Sequence, residues 1–140
     1  MYLIYLSFIM IFFLIRKNWY FDCSCMRCSD PTELGTLVSG VVCDQCTDHC
    51  TLLPGHDLYT APCGHSLPLQ QVLELEARME EEMQQCDGSV LEDLEHFLNK
   101  WRTRFSENHF LILLAKRKLL AALKLNLAAE ATDNREALSR

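Results

Sequence analysis

Residues 20–65 read YFDCSCMRCSDPTELGTLVSGVVCDQCTDHCTLLPGHDLYTAPCGH, and this stretch holds seven of the eight cysteines in a chain of 140 residues. Two groups stand apart in it. Cys23, Cys25 and Cys28 form C-x-C-x2-C. Thiolates this close converge on one ion with little loop-closure cost, and zinc takes four ligands in a tetrahedron, with sulfur about 2.3 Å from the metal. Three ligands leave such a site one short, so a closed structural site draws its fourth from elsewhere in the fold. Asp22 and Asp30 flank the group and oppose thiolate formation unless a cation is present. The competing reading is a set of free buried thiols.

Cys43 and Cys46 form C-x2-C, the half-site of a zinc ribbon. Sixteen residues separate Cys46 from Cys63-Gly64-His65. Gly64 permits a tight turn there. A full ribbon has a second C-x2-C pair, but the position three before Cys63 is Thr60, a poor zinc ligand. His65 can supply the fourth ligand, and Cys50, His49 and His56 are other candidates. The competing reading is a degenerate ribbon that no longer holds metal. A thioredoxin-like redox role needs the C-x2-C to open a helix inside a βαβ unit. No such pattern follows; Pro54-Gly55 is turn chemistry. A disulfide scaffold needs an oxidising compartment, which requires an export signal.

Toward the N-terminus, residues 1–15 contain 14 apolar residues and one Ser. A transmembrane helix needs about 20 apolar residues, with a lower limit near 17. No basic residue precedes the run and no small-residue cleavage site follows it, as a secretory signal would require. The leader, residues 1–18, is either a short signal anchor with Arg16 and Lys17 on the cytosolic side, a core element, or a segment foreign to the domain, such as a mis-predicted first exon. The abrupt change of composition at residue 18 favours the last. Any membrane attachment would run through residues 1–15.

Toward the C-terminus the periodicity turns helical. Ser66 can cap a helix with Pro68 in its first turn, and Leu69, Val72, Leu73, Met79 and Met83 follow at helical spacing. Asp87-Gly88 ends it. Ser89 to Glu92 forms a capping box ahead of Leu91, Leu94, Phe97, Leu98, Trp101 and Phe105. A third helix runs from about His109 to about Leu127. Phe97, Trp101 and Phe110 read as core of a helical hairpin, and Lys116, Arg117 and Lys118 as a solvated face. Residues 129–140 read as a disordered tail. The expectation is a mainly α chain: a cysteine-cluster segment at 19–36, a ribbon-like segment at 37–66, and an antiparallel, TPR-like helical bundle at 67–128.

Charge narrows the functional classes. Arg16 and Lys17 give residues 1–20 a charge of +2; residues 21–66 carry −5 and residues 67–140 carry −3, for a net −6. Such a chain lacks the basic footprint of a nucleic-acid binder, so the expected partner is a protein, met through the helical tail.

The run Tyr20-Phe21-Asp22-Cys23-Ser24-Cys25-Met26-Arg27-Cys28, continued by Ser29-Asp30-Pro31-Thr32-Glu33-Leu34-Gly35-Thr36, resembles the post-SET zinc motif of SET-and-MYND-domain (SMYD) proteins, and in particular the arthropod SmydA branch. Cys43, Cys46 and Cys63 fall in register with three of the four ribbon cysteines usual in that branch, with Thr60 at the fourth place. Glu107-Asn108-His109-Phe110-Leu111 resembles a segment of its C-terminal helices. The resemblance covers about residues 19–125. It implies a protein-lysine methyltransferase that uses S-adenosylmethionine and works in nucleus or cytoplasm. It also implies that Phe21 packs on the cofactor adenine, that Tyr20 or Trp19 helps wall the lysine channel, and that a SET cysteine completes the zinc site of Cys23, Cys25 and Cys28. The SET segments that carry the cofactor pocket and catalytic tyrosine, N-H-S-C-x-P-N and G-E-E-[IL]-x-x-x-Y, do not occur in these 140 residues. The expectation is therefore the C-terminal portion of such an enzyme, without turnover of its own; the alternative is a small membrane-anchored zinc protein.

Overall fold

The computed structural model describes residues 16–87 and 90–138. About 53% of it is helical, and the helices pack with a small antiparallel sheet. The strands are β1 (Val41–Val42), β2 (Thr51–Pro54), β3 (Leu58–Thr60) and β4 (Ser66–Pro68), in the spatial order β1-β2-β3-β4. Val41 faces Leu52, Pro54 faces Tyr59, and Tyr59 faces Leu67. Alternation along β2 and β3 turns Leu52, Pro54 and Tyr59 inward and leaves Leu58 and Thr60 outside. At the β2–β3 turn the Gly55 N–H donates to the Leu58 carbonyl at 2.9 Å. A Cβ at Gly55 would come within 2.6 Å of that same oxygen, so only glycine fits.

The free edge of β1 is covered by chain that follows in sequence much later. The Val42 N–H donates to the Arg104 carbonyl at 2.9 Å, and the Ser106 N–H to the Gly40 carbonyl at 3.0 Å. Val41 and Phe105 form the bridge between them. Covering that edge leaves no template there for stray strand pairing.

The helices include α1 (Met26–Ser29), α2 (Leu69–Gln85), α3 (Leu91–Trp101) and α4 (Phe110–Leu138); residues 16–19 are helical as well. Helix α2 buries Val72, Glu76, Met79 and Met83, a stripe at steps of three and four. Leu73, expected in that stripe, is partly exposed. Helix α3 buries Leu94, Phe97, Leu98 and Trp101, as the periodicity predicts. Phe97, Trp101, Phe105 and His109 then step along one side as ring neighbours, with centroids 6.4, 5.9 and 4.3 Å apart in turn.

Three expectations change. Ser66 does not cap a helix; it lies in β4, paired with Thr60, and α2 begins only at Leu69 with no side-chain cap. Strand pairing, which also lets the Leu69 N–H donate to the Asp57 carbonyl at 2.9 Å, prevails over the capping preference. The tail does not stop near Leu127: α4 continues to Leu138. Residues 128–138 contain no Gly or Pro, and good helix formers, Ala, Glu, Arg and Leu, make up most of them. Finally, the helices are not a self-contained antiparallel bundle. Val41, Leu52 and Tyr59 from the sheet share one core with Val72, Met79, Phe97, Trp101 and Ile112 from the helices. The Gly88 stop and the Ser89 capping box fall outside the described residues, as does the leader at residues 1–15. Among the described residues no helix is long and apolar enough to cross a membrane.

The core contains a polar group that periodicity does not foretell. His109 is fully buried; its Nδ1 accepts from the Leu111 N–H at 3.3 Å, so its Nε2 carries the hydrogen and donates to Glu76 Oε1 at 3.2 Å. Tyr59 is fully buried and its hydroxyl has no hydrogen-bond partner. Burial, then the charges of Glu76 and Glu33, push that phenol well above its usual range. Tyr59→Phe removes an unsatisfied buried group at nearly constant shape. It is expected to leave unfolding free energy unchanged or raise it by up to about 1 kcal/mol, read from the urea midpoint. A loss above about 2 kcal/mol would instead reveal a partner for the hydroxyl.

Candidate metal centre

In a four-stranded meander the β1–β2 and β3–β4 loops emerge at the same end of the sheet. The first of these loops carries Cys43, Cys46 and Cys50; the second carries Cys63 and His65. Each is closed at its base by a backbone hydrogen bond. The Cys43 N–H donates to the Cys50 carbonyl at 2.8 Å and closes the first loop, and the Cys50 N–H points at Cys46 Sγ, 3.4 Å away. His49 takes a left-handed conformation with φ 47°, and so does Gly64 in the second loop with φ 87°. Glycine adopts that conformation without strain, which makes Gly64 the residue that lets Cys63 turn back. The Ala61 N–H then donates to the His65 carbonyl at 3.0 Å.

The sulfurs of Cys43, Cys46, Cys50 and Cys63 all lie within 4.8 Å of one another. Cys46 and Cys50 are 3.2 Å apart, and Cys63 and Cys43 are 3.7 Å apart. Sulfur–metal bonds of about 2.3 Å in a tetrahedron require an S–S edge of about 3.8 Å, so the four thiols already stand near the geometry of a four-coordinate ion. The sequence favoured His65 as the fourth member; the structure brings in Cys50, which was only one of several alternatives. His65 is nevertheless close, with Nδ1 3.3 Å from Cys63 Sγ and 3.7 Å from Cys43 Sγ. Thr60 points outward from β3, and His49 and His56 are exposed, His56 against Asp57 at 3.1 Å. The signal that could have singled out Cys50 is its register: pairing Val42 with Thr51 necessarily folds residues 43–50 into one closed loop.

Cys23, Cys25 and Cys28 form a second group, also within 4.8 Å. Among the described residues it contains three thiols. Cys25 is exposed and precedes α1; Cys23 and Cys28 are half-buried. The segment that follows is a self-locking turn. Asp30 Oδ1 accepts from the Thr32 N–H at 2.8 Å and the Thr32 hydroxyl at 2.7 Å, while Oδ2 accepts from the Leu34 N–H at 3.0 Å. The Thr32 hydroxyl bonds hold the Asp30 carboxyl below its usual range. Glu33 is buried, accepting from the Ser39 N–H at 2.8 Å with Arg27 at 3.9 Å. Asp30-Pro31-Thr32-Glu33 thus fixes how the three-thiol group joins the sheet. Trp19, Tyr20 and Phe21 are exposed beside it. Cys86 belongs to neither group and is half-buried.

Thiols packed this closely cannot all ionise without a cation. Hydrogen bonding draws Cys25 down to about 7, chiefly from the Cys28 backbone, and Cys46 down to about 7, chiefly from the Cys50 thiol. Their neighbours move the other way: burial pushes Cys28 up to about 12, and the Cys63 thiol pushes Cys50 up to about 12. Both groups therefore fit a divalent, thiol-seeking ion that replaces protons. A thiol held near 12 is protonated at neutral pH, so metal must displace its proton. Apparent metal affinity is expected to rise with pH between 6 and 9, by about tenfold per pH unit for each proton displaced. Competition against a chromophoric chelator across that range checks it; a flat profile would contradict the proton displacement.

No protein-family model matches the chain, and no curated protein matches it.

Proposed function

We propose that this chain is a zinc-stabilised protein-interaction module, the C-terminal portion of a SET-and-MYND-type lysine methyltransferase of the SmydA kind, without a catalytic core of its own. The observation that carries the zinc reading is the convergence of Cys43, Cys46, Cys50 and Cys63 within 4.8 Å on two loops at one end of the sheet. All four ligands are thiols, the donors that zinc shares with few other biological ions in closed tetrahedral sites. Thr60 is no defect in this scheme, because Cys50 takes the place it leaves.

The family reading rests on the motif from Cys23 to Thr36. Its residues have consistent work in the fold: three thiols converge, Asp30 and Thr32 lock the turn, and Glu33 anchors it beneath Ser39. The three-thiol group lacks a fourth ligand among the described residues, and Phe21 is exposed next to it. Both features suit a SET core that supplies a cysteine and a cofactor pocket. The helices beyond residue 69 serve as the protein-contact region in this reading.

The test has two arms. Purified chain is assayed for zinc and for methyl transfer from S-adenosylmethionine to a lysine peptide; zinc without turnover is expected, and turnover would overturn the inactive reading. A MYND–SET core deprived of its own C-terminal portion is then mixed with the chain. Tighter S-adenosylmethionine binding, reduced by Phe21→Ala, is expected; no gain would sink the family reading.

A further inference from the structure

The four-thiol centre has a fifth donor within reach. His65 Nδ1 lies 3.3 Å from Cys63 Sγ and 3.7 Å from Cys43 Sγ, and those two sulfurs are 3.7 Å apart. These are the separations of three vertices of a ligand tetrahedron, since bonds of about 2.3 Å to sulfur and 2.0–2.1 Å to nitrogen give edges of about 3.6–3.8 Å. The Cys43–Cys63 edge is thus common to two ligand sets. One is completed by Cys46 and Cys50; the other by His65. The remaining pair stands closer still, because Cys46 and Cys50 are 3.2 Å apart against 3.7 Å for Cys63 and Cys43.

We propose that His65 is an exchangeable fifth ligand, which with Cys43 and Cys63 retains the zinc when Cys46 and Cys50 are joined by oxidation. This rests on the zinc reading of the site. The oxidant is a hydroperoxide. The Cys46 and Cys50 thiolates give up two electrons and the bond between their sulfurs forms. The peroxide O–O bond breaks, and two protons from solvent complete the reduction, which for hydrogen peroxide yields two waters. The pair closes by moving from 3.2 Å to the disulfide length of about 2.0 Å. Cys43, Cys63 and His65 would then be the residues that hold the ion, and three protein ligands are the donor count of an open rather than a closed zinc site. Oxidation converts a structural site into a reactive one without losing the metal, and a thiol reductant restores it.

The experiment uses the full chain loaded with zinc, treated with hydrogen peroxide, desalted, and measured for zinc and for disulfides by peptide mass. Wild type is expected to keep its zinc and to show a Cys46–Cys50 disulfide. His65→Ala and His65→Asn are expected to hold zinc as wild type does before treatment and to release it about 10–100-fold faster after it. Circular dichroism of the untreated variants confirms their fold. A parallel arm needs no oxidant: Cys50→Ser binds one cobalt ion with an absorption band typical of mixed sulfur and nitrogen ligation, and Cys50→Ser/His65→Ala loses it. Equal zinc release from wild type and the His65 variants, or a disulfide between other cysteines, overturns the exchange. Untreated wild type without zinc at this site would instead refute the underlying zinc reading.

Discussion

Cys43→Ser is expected to weaken the centre's hold on its ion and to loosen the sheet with it. Cys43 is the one buried thiol of the four, at 1% exposure, and it follows directly on β1 as the first residue of the loop. Its sulfur belongs to both ligand sets, so neither Cys50 nor His65 can stand in for it. A structural zinc supplies about 10–16 kcal/mol of apparent binding energy, or about 3–4 kcal/mol per ligand when shared over four. Losing one share lowers zinc affinity by about two to three powers of ten. The effect on folding follows, because strands of two to four residues hardly persist on their own and here the ion ties together both loops at their end. Chelator competition and a thermal melt with and without zinc read the two effects. Cys86→Ser, outside both thiol groups, is the control and leaves zinc affinity unchanged.

Phe105→Ala is expected to cost about 3–5 kcal/mol, the range for emptying a buried aromatic site. Small domains have only about 5–15 kcal/mol in total, so the variant sits near the edge of folding. The position explains the size. Phe105 is fully buried, its ring lies between Trp101 and His109, and its backbone bridges Val41. It is therefore the place where helix α3, the edge of the sheet and the start of α4 meet, and truncation also leaves the His109–Glu76 pair less well packed. Urea unfolding followed by far-ultraviolet circular dichroism measures the loss. Leu125→Ala, on the exposed far half of α4, should stay within about 0.5 kcal/mol of wild type.

The amphipathic helices were legible because their apolar residues repeat over three turns or more; Leu94, Phe97, Leu98 and Trp101 are buried as their spacing predicts. The thiol groups were legible because ligand spacing in a loop is short-range chemistry. What escaped was long-range pairing. Two-residue and three-residue strands carry too little alternation to announce themselves, and β4 was hidden beneath the helix-capping signal of Ser66. Cys50 stayed one of several candidates for the same reason, since only the register of Val42 against Thr51 brings it back to Cys43. The buried Glu76–His109 pair was invisible too: Glu76 sits among charged residues in sequence and His109 in a polar stretch, and only the packing of α2 against the start of α4 joins them.

The central claim is that Cys43, Cys46, Cys50 and Cys63 jointly hold a metal ion. Native mass spectrometry of the reduced full chain, combined with mapped alkylation of its thiols, tests it most directly. The expected result is a zinc ion that survives desalting, with these four cysteines slow to alkylate until a strong chelator is added, while exposed Cys25 reacts readily. Metal-free protein that keeps its helical signal, and whose four thiols alkylate at the rate of the unfolded chain, would contradict it.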